Sequence, residues 1–199
     1  MRMILASNNA HKVREFGEIL AQSGIELISQ RDAGCDFEVD ETGETFEENA
    51  FLKADAVMRA TGQAAVADDS GLEVDALGGE PGVRSARYTG SHDDTDYNRR
   101  LFLLHKLENE EHRKARFVSS ICCVFPDGRV IRARGECGGE ITREMRGENG
   151  FGYDSIFKPE GFDRTMGELS AEEKNAISHR GRALRAFAEK LRKENADNK

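Results

Sequence analysis

The chain predicts a mixed α/β fold, a β-sheet flanked by helices. Short apolar runs of strand length alternate with stretches of helical periodicity, which favours parallel pairing across helical connections. A hairpin with a strong turn signal interrupts that alternation midway, so the sheet cannot be uniformly parallel.

Residues 3–6 read as a short buried strand. After the polar turn Ser7-Asn8-Asn9, the residues Val13, Phe16, Ile19 and Leu20 recur at helical spacing until Ser23-Gly24. Such a strand, turn and helix expose unpaired N–H groups and the positive end of the helix dipole, which together suit an anion. Lys12 falls in the first turn, where a cation opposes the dipole unless an anion is also bound. That placement favours phosphate binding over a plain N-cap.

The second helix starts at Thr45, with Thr45 and Glu48 at capping-box spacing, and stops at Gly62. Its apolar stripe is Phe46, Ala50, Ala54 and Val57. Lys53 lies about 60° from Ala50 on the helical wheel, within that stripe. It must snorkel out to solvent or meet an anion, and an acidic or phosphate-bearing site is a serious rival to snorkelling.

Ala64-Ala65-Val66-Ala67 reads as a strand ending in Asp68-Asp69-Ser70-Gly71. Adjacent carboxylates repel one another and lose hydration at the mouth of a core strand, so a metal ion or a proton transfer is one reason to keep them there. A solvated turn is the other, since the same four residues are good turn formers.

Gly78-Gly79-Glu80-Pro81-Gly82 reads as a tight turn, and a helix follows over 95–107 with Leu101, Leu104 and Leu107 inward. Strands 116–125 and 129–137 form the hairpin about Pro126-Asp127-Gly128. The glycine-rich loop 147–154 carries two aromatic residues, whose rings can stack on a base or plug the loop into the core, and 155–157 resembles a further strand. The last helix spans 170–192, with Ser170 and Glu173 as a capping box and Ile177, Leu184, Ala188 and Leu191 as its buried stripe. Lys174 and Arg180 lie at opposite edges of that stripe. On an unbroken helix His179 points to solvent; a functional His179 requires a break with Ser178 as a new N-cap. Residues 193–199 read as a disordered tail.

At 199 residues the chain suits one domain with a substantial core. A formal net charge of −8 argues against a nucleic-acid coat, though a cleft with a few cations still suits a small polyanion. The four cysteines show neither a Cys-x-x-Cys pair nor histidines at zinc spacing. No apolar run approaches the ~18 residues of a membrane span, and no leader is evident, so a cytoplasmic protein without a membrane partner is expected.

The phosphate-loop, dinucleotide-binding and His-Glu-x-x-His zinc motifs are absent, and Asp94-Thr95-Asp96 lacks the apolar strand that a phosphatase-like pair would follow. What remains is acidic residues for a metal (Asp68, Asp69, Glu41, Glu44), lysines for phosphates (Lys12, Lys53) and a loop with aromatics and Asp154 for a base. That set suits Mg²⁺-dependent cleavage of a nucleotide.

Five segments together carry a resemblance: Ser7-Asn8-Asn9-Ala10-His11-Lys12, the run from Glu41 to Ala50, Ala67-Asp68-Asp69-Ser70-Gly71-Leu72, Gly150-Phe151-Gly152-Tyr153-Asp154, and Ser178-His179-Arg180-Gly181. In that order they resemble the dITP/XTP pyrophosphatase (Ham1, inosine triphosphate pyrophosphatase) family. The resemblance implies hydrolysis of non-standard purine nucleoside triphosphates to the monophosphate and pyrophosphate. It also implies a homodimer, an elongated mixed sheet and a cleft between two lobes. Asp69 is then the general base and a metal ligand, with Asp68 and Glu41 assisting Mg²⁺. The segment Ser7, Asn8, Asn9, Ala10, His11 and Lys12, together with Lys53, holds the phosphates, and Ser70 contacts substrate. Phe151, Gly152, Tyr153, Asp154, Lys174, His179 and Arg180 form the base pocket, which implies the helix break near Ser178. Donors from His179 or Arg180 would favour a 6-keto purine over adenine. Guanine shares the keto group, and nothing in the sequence tells it apart. A nucleotide sensor that binds without cleaving and an enzyme for modified pyrimidine nucleotides remain as alternatives; adjacent carboxylates speak against the sensor, because a pure binder of a polyanion gains little from them.

Overall fold

A computed structural model describes residues 1–91 and 94–197. The elements in chain order are β1 (Arg2–Leu5), α1 (Ala10–Ala21), β2 (Glu26–Ser29), α2 (Phe46–Thr61), β3 (Ala65–Val74), α3 (Asp96–Lys106), β4 (Lys114–Val124), β5 (Val130–Ile141), β6 (Phe157–Pro159), α4 (Ala171–Ile177) and α5 (His179–Asp197), with short 3-10 turns between some of them. One mixed sheet has the order β2-β1-β3-β4-β5-β6. The chain divides into two compact units: Met1–Asp69, Ser119–Gly135 and the stretch from His179 onward form the first, and Ser70–Val118 with Glu136–Ser178 forms the second.

In the first unit β1 runs parallel to both its neighbours, pairing Arg2 with Glu26 on β2 and Leu5 with Val66 on β3. Side chains alternate across a strand, and the core divides accordingly. Met3, Leu5, Val66, Ile121 and Cys123 pack with α1 (Phe16, Ile19, Leu20) and α5 (Ala183, Leu184, Phe187, Leu191). Ile4, Ala6, Ala65, Ala67, Cys122 and Val124 pack with α2 (Ala50, Ala54, Val57). Helices therefore cover both faces, which is why these strands read as continuous apolar runs. The chain enters β2 by way of α1 and returns to β3 by way of α2, so β1 is a topological switch point.

In the second unit Leu72 and Val74 of β3 join Leu103, Leu107, Phe117, Ile141, Tyr153, Phe157 and Met166 in one core. The Phe117 and Phe157 rings lie 4.7 Å apart. β5 and β6 are antiparallel.

Both capping boxes form, at Thr45/Glu48 and Ser170/Glu173. Four expectations need correction. β3 does not end at Ala67 but runs through Asp68, Asp69, Ser70 and Gly71 to Val74, because Leu72 and Val74 have a core of their own to enter. Residues 154–156 form a 3-10 turn, and the strand begins at Phe157. Leu104 and Leu107 face the core as expected, but Leu101 is 44% exposed and the fully buried Leu103 takes the inward place. The break near Ser178 that the resemblance implies is present: Ser178 is extended, with a φ of −65° and a ψ of 156°, and His179 is buried, where periodicity alone pointed it to solvent. Finally, helix α5 continues to Asp197, so 193–197 are ordered as helix, stabilised by the Glu189–Lys193 pair at 2.7 Å; 198–199 lie outside the described residues. Strand β2 was not anticipated. Among the described residues no helix is long and apolar enough to cross a membrane. All four cysteines are free and buried.

Candidate active site

β1 ends at Leu5, where Ala6 N–H still donates to Val66 O, and β3 continues past it. The polar residues that follow β1 and the carboxylates of β3 thus share the carboxyl end of a switch point, where ligands of open α/β sheets collect. The start of α1 is built by capping. Asn9 Oδ1 accepts from the N–H groups of His11 (3.0 Å) and Lys12 (3.2 Å), and Ser7 Oγ accepts from Asn9 N–H. Asn8, Ala10 and His11 are exposed on this turn.

Asp68 and Asp69 are divided by the alternation of the strand. Asp68 shares the face of Val66, toward α1 and α5. Its Oδ2 lies 2.9 Å from Lys12 Nζ and 3.3 Å from Arg180 Nη2, and its Oδ1 accepts from Ser119 Oγ at 2.6 Å. Arg180 in turn pairs with Glu15 of α1. Burial pushes the Asp68 carboxyl up, but Lys12, Arg180 and the Ser119 hydroxyl together hold it well below the usual carboxylate range. The same burial, aided by the nearby charges of Lys53 and Arg180, lowers Lys12 despite its Asp68 partner.

Asp69 shares the face of Ala67, toward α2. Its Oδ1 receives Lys53 Nζ at 3.0 Å, and the same ammonium reaches Glu41 Oε1 at 2.6 Å. Lys53 therefore neither snorkels nor stands free: it bridges two carboxylates. Glu41 is held by the approach to α2, where Gly43 N–H donates to the fully buried Asn49 Oδ1 and Glu48 accepts from Glu44 and Thr45. Burial raises the Asp69 carboxyl above its usual value, and Lys53 offsets this only in part. Asp69 Oδ2 is buried with no hydrogen-bond partner among the described residues.

An orphaned carboxylate oxygen beside a second carboxylate fits a Mg²⁺ ion that takes one or two carboxylates and completes its shell with water and phosphate oxygens. Asp69 and Glu41 supply those carboxylates. Asp68 lies on the other face with both oxygens taken by protein donors, and no group of three or more His, Cys, Asp or Glu residues gathers at a metal site among the described residues.

His179 and Arg180 open α5 in the first unit. Their approach to the sheet depends on Gly135 of β5, since a Cβ there would lie 2.3 Å from His179 O and 2.4 Å from Ala183 N. Sequence reasoning missed Gly135; a glycine inside a strand of β-formers is the available signal.

In the second unit Phe151, Gly152, Tyr153, Asp154 and Lys174 form one constellation. The buried Asp154 Oδ2 accepts from Phe151 N–H at 2.9 Å and from the buried Lys174 Nζ at 2.8 Å. Lys174 Nζ also lies 4.7 Å from the centre of the Phe151 ring. Tyr153 is turned into the core, with its hydroxyl donating to Ser85 O at 2.9 Å, whereas Phe151 is half-buried. Ser85 Oγ in turn accepts from Leu72 N–H at 2.9 Å, two residues beyond Ser70 on β3.

The sequence profile described as the Ham1 family matches residues 3–190. A dITP/XTP pyrophosphatase of Bacillus anthracis is 49% identical over 193 residues, covering 96% of this chain and 96% of its own. Another from Streptomyces avermitilis is 49% identical over 195 residues, covering 96% and 97%. The solved Ham1 protein of Staphylococcus aureus superposes with a TM-score of 0.88 at 43% identity, covering 98% of this chain and all of that one.

Proposed function

This chain belongs to the Ham1 family, and from that premise we propose that it is a nucleoside triphosphate pyrophosphatase, hydrolysing non-standard purine nucleotides such as ITP, dITP and XTP to the monophosphate and pyrophosphate. The observation that carries this reading is the buried Asp69 carboxylate of β3, with one oxygen fixed by Lys53 and the other without a hydrogen-bond partner among the described residues. A base held in this way can accept the proton of a water aimed at the α-phosphorus. Lys53 keeps Asp69 and Glu41 together despite their like charge. Bound Mg²⁺, held by Asp69 and Glu41, would neutralise triphosphate charge and stabilise the departing pyrophosphate. Asp68 acts through Lys12 and Arg180, fixing both cations beside β3, and Lys12 with the turn from Ser7 to His11 is the phosphate-binding part. Ser70 is the next substrate contact along β3. Phe151 offers a ring to the purine, with Gly152, Asp154 and Lys174 shaping its surroundings; in the first unit Arg180 is committed to Asp68 and Glu15. The working form is a homodimer of a cytoplasmic enzyme.

The test is a panel of ITP, XTP, dITP, GTP and ATP, with Mg²⁺ and with a chelator, scored for pyrophosphate against orthophosphate. Pyrophosphate from ITP and XTP only with the metal is expected. Orthophosphate with a nucleoside diphosphate would move the site of attack and overturn the reading.

A further inference from the structure

Loop 150–154 owes its shape to contacts that its own sequence does not contain. Gly150 has a φ of +77°, and a Cβ there would lie 2.1 Å from Asp154 Oδ2; Gly152 has a φ of +60°. Two glycines in the left-handed region let the loop fold back on Asp154, but they also leave its tip with little conformational restraint. Tyr153 is anchored on Ser85 and Asp154 on Lys174. The tip just before them, Gly152, is gripped from α3. Asp96 Oδ2 accepts from Gly152 N–H at 2.6 Å, and Arg100 Nη1 donates to Gly152 O at 2.7 Å.

Asp96 and Arg100 are four residues apart on α3, so one helix face presents an acceptor and a donor to the two polar groups of one residue. The acceptor is itself held. Arg99 pairs with Asp96 and is braced by donating to Ala86 O at 2.8 Å and Asp94 O at 2.6 Å. Neither Asp96 nor Arg100 sits in any of the five family-like segments, and both bonds span more than fifty residues of sequence.

We infer that Asp96 and Arg100 are positioning residues for purine recognition: by fixing Gly152 on both sides they set the plane of the Phe151 ring and the direction of the Asp154 carboxylate. This rests on the base-binding role proposed above for residues 151–154. Ground-state binding of the purine should suffer when the grip is lost, while the water, base and phosphates that decide the chemical step belong to the first unit.

The experiment compares Asp96→Ala, Arg100→Ala and the conservative Asp96→Asn, whose amide oxygen still accepts from Gly152 N–H. For Asp96→Ala and Arg100→Ala, KM for ITP should rise about tenfold with kcat within about threefold of the parent, and Asp96→Asn should keep KM within about threefold. Hydrogen exchange in the nucleotide-free protein reads the grip directly. The Gly152 amide should exchange at least about tenfold faster in Asp96→Ala, with amides of β4 unchanged. An unchanged Gly152 amide, an unchanged KM, or a fall in kcat at constant KM overturns the inference. A parent protein that exchanges slowly at Gly152 but does not hydrolyse ITP sinks the proposed function instead, and the exchange of Asp96→Ala still decides whether α3 sets the loop.

Discussion

Asp68 and Asp69 are neighbours on β3, yet their carboxylates meet different helices: Asp68 pairs with Lys12 of α1 and Arg180 of α5, and Asp69 with Lys53 of α2. Two adjacent charges that would repel in a turn are separated by the pleat, and each is matched by cations on its own side. The proposed base, Asp69, and the anchored carboxylate, Asp68, can therefore be told apart by substitution.

Asp69→Asn should fold and melt near the parent but lose about 10² to 10⁴ in turnover, as removal of a general base typically does. Asp68→Asn should instead leave the buried Arg180 and the half-buried Lys12 without their shared counter-charge, at a cost of about 3–5 kcal/mol. Thermal unfolding and pyrophosphate release, measured on both variants, check the assignment. Equal melting temperatures for the two would show that Asp68 is not the anchor.

The same pair should give opposite pH slopes in the metal-free protein. Asp68 has a depressed folded pKa, so its stabilisation is present above the unfolded carboxylate value of about 3.9 and is lost as pH falls through the folded one. Asp69 has a raised folded pKa, so stability declines as pH rises from about 3.9 through that value. Melting temperature against pH for the parent and the two asparagine variants separates these: Asp68→Asn should flatten the acid side, and Asp69→Asn should flatten the decline above it.

Lys53→Met should lower the melting temperature of the metal-free protein by an amount within the ~0.5–3 kcal/mol of ordinary substitutions, because Asp69 and Glu41 lose the ammonium they share. Mg²⁺ should stabilise this variant more than the parent, since the ion then supplies the only positive charge between the two carboxylates. A metal-free melting temperature equal to or above the parent's would return Lys53 to a partner outside the protein.

Gly135→Ala should destabilise by about 1–3 kcal/mol, as overpacking does, because the added methyl meets backbone rather than a yielding side chain. Helix α5 must then move off β5 and carry Arg180 with it. Ser120→Ala, on the neighbouring strand, serves as the control for a small change near the same sheet. A Gly135→Ala protein that melts with the parent would contradict the close approach.

Much of this was legible from residue types. Thr45 with Glu48 and Ser170 with Glu173 announced helix starts by their caps, and Lys53 on an apolar stripe left a choice between snorkelling and an anion, which Asp69 and Glu41 decide. The opposite faces of Asp68 and Asp69 were also within reach, once β3 is known to continue, because a strand alternates by rule. What hid this was local composition: Asp-Asp-Ser-Gly is turn-like, and only the distant core of Phe117, Tyr153 and Phe157 explains why Leu72 and Val74 extend the strand. The break at Ser178 was invisible to periodicity, since Ile177 and Leu184 keep one stripe across it; the motif around His179 signalled it. The grip of Asp96 and Arg100 on Gly152 had no local signal at all, because both bonds are made across the fold.

All four cysteines are buried, and two of them, Cys122 and Cys123, are also poor in reactive thiolate. Burial pushes the Cys122 thiol up to about 11 and Cys123 higher still. Alkylating reagents should therefore modify the protein only when it opens. Cys35, Cys122 and Cys123 belong to one unit and Cys137 to the other. Pulse alkylation read by peptide mass becomes a clock with two hands, timing the opening of each core separately without any label having to be introduced.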